Sequence, residues 1–87
     1  MPSISRFYGI TITMYWDETH HRLPHFHARY AEYRASLDLA GEIIIGSLPP
    51  RALQLVRDWA KLHADELTAD WELAASEKPL NPIDPLR

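Results

Sequence analysis

Two histidines one residue apart, His25 and His27, with Arg29 following, are the part of this sequence whose types and spacing could do chemistry. On a strand, residues i and i+2 share a face, so both imidazoles and the guanidinium would point the same way. Three chemistries fit. Two imidazoles can ligate zinc or another divalent metal if a third protein ligand joins them; Asp38, His20 or His21 could supply it. Without a metal, one histidine could take a proton and the other give one. Arg29 or Arg34 would then stabilise a phosphoryl charge, which suits RNA cleavage. The third reading is a solvated, hydrogen-bonded strand face that serves as a contact surface. That reading leads, because catalysis needs more converging groups than these, and no cofactor is expected with it.

These residues need strands to position them. Phe7 to Trp16 alternates, with Ile10, Ile12 and Met14 on one side and Thr11, Thr13 and Tyr15 on the other, and reads as one half-buried strand. Asp17–Pro24 is polar, ends in proline and reads as a loop. His25–Tyr30 alternates again, placing Phe26, Ala28 and Tyr30 opposite His25, His27 and Arg29. Tyr33–Leu39 continues the pattern, Ala40-Gly41 signals a turn, and Glu42–Gly46 is a further short β-rich run. A two-residue turn at Ala31-Glu32 would pair His25 with Asp38, His27 with Ser36 and Arg29 with Arg34.

A helical pattern follows. Pro49 and Pro50 suit a first helical turn. Leu53, Val56, Ala60, Ala64, Leu67, Trp71 and Ala74 recur at spacings of three and four until Pro79. A straight helix over Pro50–Glu77 would be about 42 Å long, too long for a compact domain with a radius of gyration of about 12 Å. A bend or break is therefore expected in residues 63–68, where Asp65 or Thr68 could cap a second helix. Trp59 and Trp71 are expected in the core, His63 as a packed histidine, and Glu66, Asp70, Glu72 and Glu77 as a solvated acidic face. The sum is one α+β domain. A small antiparallel sheet of three to four strands (1–48) is covered on one face by the helical segment (49–77), and a proline-rich extended tail (78–87) follows.

Composition bounds the function. Eighty-seven residues with 46% hydrophobic and 24% charged side chains make one ordinary globular domain. The lack of cysteine excludes disulfides, thiol catalysis and Cys-type zinc sites. No basic leader and no apolar run of about 20 residues is visible, so a cytoplasmic protein with no membrane role is expected. The net charge of −3 is uneven: residues 1–36 sum to +1 and residues 37–87 to −4. That balance does not indicate nucleic acid as a partner, although a local basic face could still contact a phosphate. Ile43, Ile44 and Ile45 cannot all lie under one helical layer. Their surplus points to a second copy or a second small protein covering the sheet's other face or its Glu42–Gly46 edge.

Several stretches together resemble one family. They are Pro2–Ile10, Met14-Tyr15-Trp16, Pro24–Tyr30, Gly46-Ser47-Leu48-Pro49, Arg51-Ala52-Leu53, Trp59, Leu62-His63, Asp65-Glu66-Leu67 and Trp71-Glu72. With the Pro-His-x-His core as the most specific part, the chain resembles the bacterial domain of unknown function 4160 family. That resemblance implies a small bacterial cytoplasmic protein, often encoded beside a second small protein in a toxin–antitoxin-like arrangement. It implies no established reaction. The family often has glycine where this chain has Ala31, and without glycine a positive-φ turn is harder to form.

Overall fold

The computed structural model describes residues 3–16 and 23–87. Five strands form one antiparallel meander in the order β1 (Ser3–Phe7), β2 (Ile10–Thr13), β3 (His25–Tyr30), β4 (Tyr33–Asp38) and β5 (Ile43–Gly46). Two helices follow, α1 (Pro50–Leu62) and α2 (Ala64–Ala75). The α+β class and the antiparallel sheet agree with the sequence reading, but the strand count is five rather than three to four. The expected loop at residues 17–24 lies largely outside the described residues, as do His20 and His21.

The extra strand comes from a turn hidden inside the alternating stretch. Phe7 to Trp16 is not one strand, because the chain reverses at Tyr8-Gly9 and pairs Phe7 with Ile10. Tyr8 takes φ 51 and Gly9 φ 80, so both turn residues are left-handed, as a type I′ hairpin requires. Tyrosine is not a usual first residue of such a turn, and the alternation of the flanking residues continues across it. The β3–β4 hairpin does form at Ala31-Glu32, with His25, His27 and Arg29 opposite Asp38, Ser36 and Arg34. Only Ala31, at φ 52, is left-handed there. That is the pattern of a type II′ turn, which favours glycine at its first position.

One face of the sheet carries Ile10, Ile12, Phe26, Ala28, Ala35 and Leu37, all buried. Helix α1 covers it with Ala52, Val56, Trp59 and Ala60, and α2 adds Leu67 and Ala74. The Trp59 ring is fully buried against Phe7 at 5.4 Å and Phe26 at 5.8 Å between centroids. The helical segment is interrupted at His63, whose φ of −117 and ψ of 30 leave the helical region. This break lets a long helical segment fold into a body measuring 33 × 25 × 21 Å. The cap differs from the expected Asp65 or Thr68. His63 itself is the N-cap residue of α2, and its Nδ1 lies 2.6 Å from Glu66 Oε1, three residues on. Thr68 instead donates its hydroxyl back to the Ala64 carbonyl.

Helix α2 ends with Glu77 at φ 56, where the Lys78 and Glu77 N–H groups donate to the Leu73 and Ala74 carbonyls. This is a Schellman ending built without glycine. The tail beyond it has neither helix nor strand and docks on the body. The Ile83 N–H donates to the Ile4 carbonyl on β1 (2.7 Å), and the indole of Trp59 donates to the Asp84 carbonyl (2.8 Å). The indole of Trp16 donates to the Lys78 carbonyl. Asp70 departs from the expected solvated acidic face. It is 1% exposed, and its Oδ1 accepts the Asn81 N–H at 2.9 Å. Its other oxygen has no partner among the described residues. Burial pushes the Asp70 carboxyl above its ordinary value; the Asn81 N–H opposes that shift, and the nearby Glu66 adds to it.

Two outcomes follow from these local conflicts. Ala31→Gly should stabilise the fold by about 0.5–1 kcal/mol, because relief of the left-handed alanine exceeds the added unfolded-state entropy; thermal melting reads it. For Asp70 the folded-state pKa is raised, so its contribution to stability is full below the unfolded value and is lost as pH rises through the folded one. The difference in melting temperature between Asp70→Asn and the wild type should therefore grow in favour of the variant as pH rises from about 4. It should level off once Asp70 is ionised in both states.

Candidate functional site

The face of the sheet opposite the one α1 covers is polar, and its geometry follows from register. Thr13 pairs with His27, His27 with Ser36, and Ser36 with Ile45, which makes one row across β2 to β5. A second row runs Arg6, Thr11, Arg29 and Arg34 across β1 to β4. These rows and Tyr15 frame a groove of about 490 Å³ whose described lining contains no Asp or Glu. Its floor depends on Gly46. A β-carbon there would sit 2.2 Å from the Arg34 carbonyl oxygen and 2.9 Å from the Ala35 Cα, and the residue holds φ +90. Only glycine allows β5 to approach β4 this closely.

His25 and His27 share this side of β3, with ring centroids 5.2 Å apart in an edge-to-face arrangement. Their surroundings differ. His25 is 8% exposed, lies 5.4 Å from the Trp71 ring of α2, and donates Nδ1–H to the Leu23 carbonyl at 2.8 Å. His27 is half-buried and opens on the groove. Its Nδ1 is hydrogen-bonded with Ser36 Oγ at 3.1 Å, and its ring meets Tyr15 edge to face at 4.8 Å. Arg29 stands exposed beside it, directly opposite Arg34.

Asp38 lies opposite His25 in register, but its Oδ1 accepts the Ala40 and Glu42 N–H groups at 3.0 and 2.9 Å. That carboxylate oxygen organises the β4–β5 turn. Among the described residues no three His, Asp or Glu side chains gather as a metal site, and His20 and His21 lie outside them. The structure thus brings His27, Arg29, Arg34 and Ser36 to one groove, with His25 behind them and Asp38 committed to its turn. Sequence reasoning missed Thr11, Thr13, Tyr15 and Arg6 as neighbours of this group. The alternation had already placed the two threonines and Tyr15 on the polar side of β2; the unseen hairpin concealed that β2 lies beside β3.

At the other side of the groove stands β5. Ile43 turns inward against the core, whereas Ile44 is 46% and Ile45 64% exposed. A register shift between Ser36 and Leu37 carries Ile44 out of the alternation. The two edges of the sheet are thereby unlike: the chain's own Ile83 hydrogen-bonds to β1, and β5 is the outermost strand on the opposite side. Among the described residues no helix is long and apolar enough to cross a membrane.

The different settings of the two histidines have a measurable consequence. His25→Ala should lower stability by about 1–3 kcal/mol, through lost packing on Trp71 and an unpaired Leu23 carbonyl. His27→Ala, at the groove surface, should cost under about 1 kcal/mol. Denaturant unfolding of the two variants checks the order.

Neither the curated proteins nor the solved structures give a significant match to this chain. A family profile does, over residues 9–72. That span takes in the β2–β5 meander, the groove, α1 and most of α2, and the chain belongs to the domain of unknown function 4160 family.

Proposed function

We propose that this protein is a binding component of a bacterial, cytoplasmic two-protein module of the toxin–antitoxin-like kind, and that its partner adds a strand to β5. The observation that carries this reading is the contrast between the sheet's edges. The tail bonds to β1, whereas β5 ends the sheet and exposes Ile44 and Ile45. Outward N–H and C=O groups on an edge strand supply affinity to an extended segment, and apolar side chains beside them supply specificity. A second copy is a poorer occupant than a different chain. Two self-paired four-residue strands, each about 13 Å long, fall short of the roughly 1,000 Å² that a specific stable interface buries. The occupant is a longer aliphatic segment of the second small protein.

A second reading concerns His25 and His27 as the centre of a small nuclease or metal-binding toxin. It is favoured by their 5.2 Å ring separation and by the Leu23 carbonyl, which holds the His25 tautomer through Nδ1–H. The contact-surface reading remains ahead of it because Asp38 serves a turn and His25 packs on Trp71.

One experiment separates them. The chain is co-expressed with the small protein encoded beside it, and is also expressed alone. Alone, it should run as a monomer by light scattering at micromolar concentration; with its partner, the two should co-purify and β5 amides should gain hydrogen-exchange protection. The double variant Ile44→Lys, Ile45→Lys should keep its melting temperature and lose the partner. Unchanged co-purification by that variant overturns the β5 assignment. Growth arrest by the chain alone, abolished in folded His25→Ala and His27→Ala variants, would establish the second reading instead.

A further inference from the structure

The row Arg6, Thr11, Arg29 and Arg34 goes beyond a protein-partner role and stands independently of it. Three exposed arginines lie across four adjacent strands, and no carboxylate among the described residues forms an ion pair with them. Arg29 and Arg34 sit directly opposite one another, a pairing of like charges that destabilises a sheet. Among the described carboxylates, Glu32 is exposed in the β3–β4 turn without an ion pair to either arginine, and Asp65, Glu66 and Glu72 are exposed on α2. An acidic protein has thus gathered a cationic strip on one face at a cost to its own stability. Such a strip is relieved by an anion.

From this geometry we infer that the groove binds single-stranded nucleic acid. The arginine row crosses three inter-strand steps, about 14 Å, which exceeds one phosphate group and suits a run of phosphodiesters. Guanidinium groups match phosphate oxygens in pairs. The neighbouring row adds hydroxyl and imidazole groups from Thr13, Ser36 and His27, and Tyr15 sets an aromatic ring beside the charges. An open sheet face that joins a cationic track to aromatic rings is how single strands are held without sequence reading. A duplex is too stiff to settle into a groove of this size, and an acidic peptide would leave the aromatic ring unused.

Fluorescence anisotropy with labelled oligouridylate and oligothymidylate 12-mers tests the inference. Either strand should bind, with a log–log salt slope of about −2 for three neutralised phosphates, hence about a 20-fold loss between 50 and 200 mM salt. Arg29→Gln with Arg34→Gln should weaken binding at least 10-fold while its melting temperature stays level or rises, since the opposed charges are gone. Arg6→Gln, outside the groove's wall, should weaken binding less and lower the salt slope. The inference fails if neither 12-mer binds at 50 mM salt, or if the double arginine variant binds as the wild type does. It also fails if a 12-base-pair duplex or a polyglutamate peptide binds as tightly as the single strands.

Discussion

The burial of one indole holds this small domain together. Trp59 projects from α1 into the centre of the sheet's apolar face, meets Phe7 on β1 and Phe26 on β3, and gives its N–H to the tail at Asp84. An indole buried this completely removes a large apolar area from water, and its polar edge has to find an acceptor. The tail supplies that acceptor. Sheet, helix and tail are therefore three sides of one side chain's environment. In a chain of this length the core is thin, and Trp59 is the largest side chain fully buried in it.

Much of this was legible in the sequence, and the reasons are local. Alternation in His25–Tyr30 and Tyr33–Asp38 has a period of two, and a two-residue connection leaves one register that keeps the apolar residues together. The helix and its break follow from periodicity and from the size of a compact body. The hairpin at Tyr8-Gly9 was not legible, because the apolar–polar alternation runs on through it and only Gly9 hints at a turn. Glu77 and Ala31 are likewise non-glycine residues at left-handed positions, where tertiary packing overrides propensity. Asp70 reads as one more surface acid on α2, yet it is buried and accepts the Asn81 N–H of the returning tail. What a single sequence hides here is of two kinds: turns whose residues keep the alternation or lack glycine, and partners brought by the returning tail.

The candidate site shows the same division. The pairing of His27 with Ser36 and Arg29 with Arg34 followed from the hairpin, whereas the role of Asp38 did not, because its hydrogen bonds go to a turn whose backbone had to be seen. Net charge also misdirects. At −3 it describes the whole chain, yet binding responds to the local field over one face, and the meander brings Arg6, Arg29 and Arg34 into one row while Asp65, Glu66 and Glu72 are exposed on α2. Sequence order alone gives the halves of the chain a mild imbalance. The fold concentrates its basic part in that row.

The docked tail has a kinetic consequence. Every strand of the meander pairs with its neighbour in sequence, so these contacts close short loops and topology favours rapid formation. The bond from Ile83 to Ile4 joins opposite ends of the described chain and closes a longer loop than the indole bonds of Trp16 and Trp59 to the tail, at a correspondingly greater entropy cost. Native structure is therefore expected to build outward from the hairpins and to finish with the clasp. The β1 side of the sheet, covered in the native state, is the last part of the molecule to be protected.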